Sequence, residues 1–464
     1  MGRNWAGVLS VCVAAACGGS GASGTHLSRG PGTGDGGNGA PASDGGGASP
    51  PAVDGGPTGG PDGGSVGGPD GGTGGMPGGD GGVSLPDGGS LACTQDPGPP
   101  AATCSELAPG PFGPRQTFLY PMPEAGCGDV TPANGEGAFI AVEEQVGSGL
   151  VQDTLDFVST TGQLTARVAL DAGTFDSAVA TGFVTRRFTL QGMDAAWTLL
   201  WYDSGGSERA PPVVVRSPET MLAFATRPQG TEAAFVRSSE DRTSGFSVRV
   251  FTEAGVSEAP DIVLADSAGV LGPVQMLFDS LGNVLVTGRE VPPDRFNSTP
   301  ERWAAWWIGL DHTASARFDL FGSRLDDAQV VLSSLVALAD GRIGAQVYDP
   351  APDQLEWRWT VSRAAGVQAA PCWLTSRPAS RIQWIRGGRG YLVLEDARQK
   401  TGIEILTTTG DSCGPLAQVC PDCETEFIFS TQVGLDGTIT FPADPNTEVD
   451  AGTCGVHWYA GAFR

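Results

Sequence analysis

The chain has 464 residues, a formal charge of −25, 71 glycines and 35 prolines. Lys400 is its one lysine and the arginines are scattered singly, so no basic surface exists to neutralise a phosphate backbone, which excludes nucleic acid as a partner. Most of the glycine excess falls in the first ninety or so residues, so the globular part is shorter than the chain.

Residues 1–17 read MGRNWAGVLSVCVAAAC, with a positive charge at Arg3, an apolar run from Trp5 to Val13, then Ala14, Ala15 and Ala16. The run is too short for a permanent membrane span and has the three-part layout of an export signal. Small residues ending immediately before Cys17, with a glycine-rich tail after it, resemble the lipobox of bacterial lipoproteins, although Ala14 stands where that family prefers leucine. Cys12 has Leu9 in the preferred place but the bulky Val11 just before it, so Cys17 fits better. The resemblance implies a signal peptide over 1–16, a diacylglycerol on the Cys17 sulfur and an acylated amine. Two or three buried acyl chains hold a protein at a membrane stably. Gly18 is not the aspartate that retains such lipoproteins at the inner membrane, which implies the outer membrane of a Gram-negative cell. A plain secretory signal cut after Ala16, giving a secreted protein, is the alternative.

From residue 17 to 92 the chain repeats Asp-Gly-Gly, at Asp35, Asp44, Asp54, Asp62, Asp70, Asp80 and Asp87, with almost no aliphatic residues. Such a segment cannot bury enough apolar surface to offset its ordering entropy and is expected to be a disordered linker. Calcium-binding β-rolls also use Gly and Asp, but they need a large apolar residue at fixed nine-residue spacing, which is missing here. As a flexible coil the segment spans roughly 50 Å.

After a cysteine-containing lead-in, 93–111, residues 112–464 become short apolar runs bounded by turns. "GAFIAVEE" (137–144), "AAWTLLWY" (195–202), "EAAFVRSS" (232–239), "NVLVTGRE" (283–290), "GRIGAQVY" (341–348), "GYLVLEDA" (390–397) and "GTITFPA" (437–443) predict strands. A second series of strand and turn follows them, with turn positions at Gly162, Gly205, Gly255, Thr313, Gly366, Gly410 and Gly461. A unit of about fifty residues recurring some seven times predicts an all-β fold, a β-propeller of about seven four-stranded blades. "FDSLGNVLVTG" (278–288) resembles the repeat of bacterial β-propeller proteins, in which Asp-x-x-Gly-Asn precedes a Val-rich strand ending in Thr-Gly; "ALADGRIGAQV" (337–347) and "VGLDGTITF" (433–441) are looser copies.

"TTGDSCGPL" (408–416) differs by one residue from the Gly-Asp-Ser-Gly-Gly-Pro signature of chymotrypsin-like proteases. It occupies the same slot in the repeat as "TTGQL" (160–164) and "EAGVS" (253–257), which makes Gly410 a hairpin turn and Ser412 the residue beyond it. A serine nucleophile also needs a histidine base and a carboxylate to orient it. The chain has His26 in the linker, His312 at another repeat turn and His457 on the last strand, and Cys413 replaces the glycine after the serine. No catalytic residue is assigned.

Beyond the leader stand Cys93, Cys104, Cys127, Cys372, Cys413, Cys420, Cys423 and Cys454, an even count that in an exported chain predicts disulfides. A staple between neighbouring blades from Cys372 to Cys413 or Cys420, and a local Cys93–Cys104 bridge, are the expected pairings. The cluster of Cys413, Cys420, Cys423 and Cys454 also admits a zinc or a redox Cys-x-x-Cys reading, against which stand loose spacings and the lack of a thioredoxin-like helix. No metal or cofactor is expected.

Trp303, Trp306, Trp307, Trp357 and Trp359 are expected to pack between blades, with stacking on a sugar as the sharper alternative. Paired acids such as Glu143-Glu144 and Asp326-Asp327 arise by chance in so acidic a chain. The expectation is a non-enzymatic, lipid-anchored envelope protein whose propeller binds a protein or glycan. The alternative is a propeller hydrolase or lyase acting on extracellular polysaccharide.

Overall fold

A computed structural model describes residues 93–95, 100–107 and, between 116 and 459, the strands and most of the turns that join them. The described residues belong to one of the chain's two compact units; the other, His26–Leu85, lies outside them, as do Cys17 and the rest of the leader.

The first strand is β1 (Gln116–Pro121). Then β2 (Gly126–Pro132), β3 (Ala138–Gln145), β4 (Val151–Val158) and β5 (Leu164–Leu170) form the first sheet in simple order. The second sheet is β6 (Thr174–Val179), β7 (Gly182–Gln191), β8 (Asp194–Asp203) and β9 (Val213–Arg216). The third is β10 (Glu219–Thr226), β11 (Glu232–Ser239), β12 (Phe246–Thr252) and β13 (Ile262–Val263). The fourth is β14 (Val270–Phe278), β15 (Val284–Glu290), β16 (Arg302–Ile308) and β17 (Phe318–Asp319). The fifth is β18 (Val331–Ala337), β19 (Ile343–Asp349), β20 (Gln354–Ser362) and β21 (Gly366–Ala369), and a single helical turn, α1 (Cys372–Thr375), follows it. The sixth is β22 (Arg381–Trp384), β23 (Gly390–Asp396), β24 (Thr401–Thr407) and β25 (Ala417–Gln418). The last sheet takes β26 (Gln432–Val433), β27 (Ile439–Pro442) and β28 (Thr453–Tyr459) from the end of the chain and β1 from its beginning, in the order β1-β28-β27-β26. Among the described residues no helix is long and apolar enough to cross a membrane.

All strand pairs are antiparallel, so short hairpins suffice to connect them. In each of the first five sheets the pairing of the first strand with the second slips register, as between Met221 and Ala223 or Leu332 and Ser334. Such bulges bend and twist the strand locally. First strands of successive sheets lie against one another, β6 on β10, β10 on β14, β14 on β18 and β18 on β22, and β2 lies against β26 and β27.

Stacking buries both faces of a sheet, which is why its strands read as continuous apolar runs rather than alternating ones. In β16 every residue after Arg302 is buried. Trp306 and Ile308 join Phe246, Val248 and Met276 in the core toward the third sheet, while Trp303 and Trp307 join Ala345, Val347 and Trp359 toward the fifth. Trp357 and Trp359 would share a face at regular spacing, but a bulge opposite Ala345 and Gln346 separates them: Trp357 packs with Leu374 and Tyr391, Trp359 with Phe321. All five tryptophans are buried.

Of the sequence-predicted runs, six are second strands of their sheets, whereas "AAWTLLWY" is the third strand β8. Its sheet's second strand is β7, GFVTRRFTLQ, where Arg186 and Arg187 interrupt the apolar pattern. Gly461 lies outside the described residues, and the outer neighbour of β28 is β1.

The disulfides differ from the expected pairing. Cys93 bonds Cys372 and Cys104 bonds Cys413, with Cα atoms 4.7 and 4.9 Å apart, so neither the local Cys93–Cys104 bridge nor a Cys372–Cys413 staple forms. The physical reason is that the lead-in runs across the fifth and sixth sheets instead of folding on itself. Thr94 donates its N–H to the Ala370 carbonyl at 3.0 Å and accepts from Cys372 N–H at 3.1 Å, which sets Cys93 beside Cys372. Ala101 N–H donates to Thr408 Oγ1 at 2.8 Å, and Leu107 is buried. Thr103 and Glu106 close the strap's single turn, Thr103 N–H donating to Glu106 Oε2 at 2.7 Å. Cys127 and Cys454 lie on β2 and β28 with side chains outside the described residues, as are Cys420 and Cys423 altogether.

Peptide mapping without reduction should recover Cys93–Cys372 and Cys104–Cys413 linked peptides. Replacing either pair by serine should lower the unfolding free energy by about 2–4 kcal/mol in denaturant titration, since each bridge closes a long loop.

Candidate binding face

One turn geometry recurs where the third strand of a sheet meets the fourth. Asp203 N–H bonds Ser207 O, Thr252 N–H bonds Val256 O and Thr407 N–H bonds Asp411 O, each at 2.9 Å, and Gly309 N–H bonds Thr313 O at 3.0 Å. The residue before the closing acceptor takes the left-handed conformation: Gly206 at φ 80°, Gly255 at 74°, His312 at 57° and Gly410 at 84°. This is the three-residue hairpin with a bulge at its end. The first-to-second strand turns of the fourth and fifth sheets repeat it, with Gly282 and Gly341 left-handed.

The sequence reading is one residue off at the fourth sheet, where His312 rather than Thr313 is left-handed, while Gly205 lies outside the described residues. The GDSC stretch is one such turn: Ser412 bridges Leu406 across the hairpin and the Cys413 sulfur is bonded to Cys104. The two described histidines are engaged elsewhere, His312 with Glu258 and His457 with Thr117. His26 lies outside the described residues. The disulfide at Cys413 also removes that thiol from any zinc or redox site. Among the described residues no three His, Cys, Asp or Glu groups stand together as metal ligands. The side chains of Glu143 and Glu144, and Asp326-Asp327, lie outside the described residues.

Because both kinds of turn lie at the same ends of the strands, they gather on one face. Over the sixth sheet the strap occupies that face; over the third to fifth it carries two clefts. The larger, about 410 Å³, lies between the third and fourth sheets and is lined by Glu258, Phe278, Gly309, Leu310 and His312 among others. His312 Nε2 stands 3.3 Å from Glu258 Oε2, each side chain 27% exposed. A histidine tolerates the left-handed region better than most non-glycine residues, so this slot exchanges a turn glycine for a side chain that reaches the neighbouring sheet.

The second cleft, about 260 Å³, lies between the fourth and fifth sheets and is lined by Asp279, Leu281, Asn283, Arg342 and Arg363 among others. The Asp-x-x-Gly-Asn motif builds its wall. Asp279 Oδ1 accepts N–H bonds from Leu281 at 2.9 Å and Asn283 at 2.8 Å, and Oδ2 accepts from Asn283 Nδ2 at 2.7 Å. Burial pushes the Asp279 pKa above the usual carboxylate value, against the pull of these hydrogen bonds. Arg363 approaches Asn283 Oδ1 at 3.5 Å and Asp311 Oδ1 at 3.8 Å, so it spans the two sheets at the rim. Ser280 Oγ accepts from Gly341 N–H at 2.9 Å across the same seam.

Three apolar side chains stand out at these turns: Val256, Leu281 and Leu310 are 61%, 58% and 59% exposed. Leu310 and Leu281 belong to the two cleft linings, and Val256 is two residues from Glu258. The face thus offers apolar contact ringed by a carboxylate, an imidazole and guanidinium groups. No sequence signal marks these residues as binding groups, His312 included, which reads only as a turn residue; exposure and juxtaposition, not residue type, distinguish them.

No family model matches the chain, and no curated protein matches it. Solved structures that it resembles include the β-propeller domain of the Trilobed protease from Pyrococcus furiosus, at TM-score 0.42 and 9% identity, over 69% of this chain and 90% of that one. Prolyl oligopeptidase B from Galerina marginata matches at TM-score 0.39 and 12% identity over 68% of this chain and 46% of that one, so the chain spans about half the peptidase's length. Hydrazine synthase from Kuenenia stuttgartiensis matches at TM-score 0.32 and 13% identity over 65% and 77%.

Asp279→Asn should destabilise the protein by more in acid than at neutrality. A carboxyl whose folded pKa is raised binds its proton more tightly folded than unfolded, so its contribution is fully present below about pH 4 and fades as pH rises through the raised value. Urea midpoints of wild type and variant at pH 3.5 and 7 measure the difference; a gap that widens toward pH 7 would contradict the assignment.

Proposed function

We propose that this chain is an exported, lipid-anchored cell-envelope protein that carries a seven-bladed β-propeller on a disordered linker and acts by binding a protein or glycan, not by catalysis. The observation that carries the binding reading is the turn face over the third to fifth sheets, where Val256, Leu281 and Leu310 are exposed beside clefts lined by Glu258, His312 and Arg363. Exposed apolar side chains beside charged ones are what a recognition surface offers a partner.

Seven four-stranded sheets support the blade number, and ring closure is supported by β1 completing the last sheet while β2 lies against β26 and β27. Two disulfides are consistent with an oxidising compartment outside the cytoplasm, in keeping with the leader and Cys17. The lead-in suits a tethered domain. The Gly/Asp-rich segment ends at Cys93, and Cys93 is bonded to Cys372, so tension along the linker enters the domain through a covalent bridge and bypasses the hydrogen-bonded β1.

Intact mass of the mature protein from its native membrane tests the anchor. An N-terminus at Cys17 carrying acyl mass supports the reading, and an unlipidated start overturns it. For the binding face, Leu310→Asp combined with Arg363→Ala should weaken binding to an array-identified protein or glycan by about tenfold or more without lowering the melting temperature. Leu164→Asp, on the first sheet, should leave it unchanged. Equal loss from both variants would place recognition elsewhere.

A further inference from the structure

Four buried polar atoms without a hydrogen-bond partner collect on one face of the fourth sheet: Gln275 Oε1, Thr287 Oγ1, Trp303 Nε1 and Trp307 Nε1. Strand register puts them there. Gln275 stands opposite Thr287, and Thr287 opposite Ala305, and residues directly opposed in an antiparallel pair share a face. Trp303 and Trp307 lie two residues to either side of Ala305 on β16, hence on that same face. The four residues are between 0 and 6% exposed.

This face packs against the fifth sheet, in a core with Leu332, Ala345, Val347 and Trp359. Gln275 Nε2 crosses the seam to donate to the Leu332 carbonyl at 3.3 Å, which leaves its oxygen turned inward. The opposite face of the same strand behaves differently, since Trp306 Nε1 donates to the Ala265 carbonyl at 2.8 Å. The lack of partners is thus not general to the tryptophans of this strand; Trp201 and Trp357 carry single unpartnered indoles in other cores, and on this face four such atoms come together.

A buried polar group left unpaired carries its full desolvation penalty, so four on one face would offset much of a domain's net stability. Their chemistry is complementary to a small amphoteric molecule. The two indole N–H groups only donate, the amide oxygen only accepts, and the hydroxyl does both. They cannot all serve one another: Trp303 and Trp307 are four strand positions apart, about 13 Å along the strand. Between them Ala305 presents only a methyl group opposite Thr287.

We infer that the seam between the fourth and fifth sheets holds a short string of ordered water molecules over Ala305, bridging Thr287 Oγ and Gln275 Oε1 to the indole N–H groups of Trp303 and Trp307. Buried water of this kind occurs where a polar-lined gap supplies two to four partners, whereas apolar gaps stay dry.

The near-isosteric Thr287→Val separates the two cases. With bridging water the variant loses a partner and its melting temperature falls by about 2 °C or more. In a dry seam the same change removes an unpaired hydroxyl and leaves the melting temperature equal or higher, which overturns the inference. A high-resolution crystal structure of the wild-type protein gives a readout that does not depend on the variant folding. Solvent density within hydrogen-bond distance of Thr287 Oγ is expected, and its absence there is decisive against the water string.

Discussion

The pairing of β1 with β28 is the contact on which the arrangement of sheets depends. It joins residues as far apart in sequence as Thr117 and His457, 340 positions, through a continuous six-residue register and a 2.8 Å bond between Thr117 Oγ1 and His457 Nδ1. Without it the last sheet has three strands from the end of the chain and an uncovered edge at β28, of the kind that invites pairing with other chains. Contacts this distant in sequence form late and against a large closure entropy. The strap offsets part of that cost by fastening Cys93 and Cys104 to the fifth and sixth sheets just ahead of β1.

Between those ends the fold repeats one device. A tight hairpin with a left-handed residue presses its backbone onto the preceding sheet, closely enough that a side chain would not fit. A Cβ on Gly206 would come within 2.9 Å of Val168, and one on Gly255 within 2.8 Å of Trp201. Gly410 meets Trp373 in the same manner. His312 departs from the rule and reaches Glu258 with its ring instead, and it is there that the larger cleft opens. The larger cleft of the candidate binding face is thus where the repeat is broken, and the sixth sheet, where the strap lies across the turn, is where the face is covered.

Much of this was legible in the sequence because the repeat is written in turn residues. Glycines at spacings near fifty located the hairpins, and the continuous apolar runs located second and third strands. The errors have physical causes. His312 carries no glycine signal at all. β7 was missed because Arg186 and Arg187 break its apolar run. Disulfide partners are set by where the lead-in crosses the sheets, a tertiary fact that eight cysteines in a row of spacings do not encode. The clefts and the unpaired atoms at the fourth and fifth sheets arise from register, which places Gln275 opposite Thr287 without any motif to announce it.

The most direct test of the account is native-state hydrogen exchange read segment by segment, with the disulfides intact and after reduction. β1, residues 116–121, should be protected to the same degree as β28, and reduction should release β1 well before the third and fourth sheets lose protection. Free exchange at β1 in the oxidised protein, with β28 still protected, would contradict the claim that the N-terminal strand completes the last sheet.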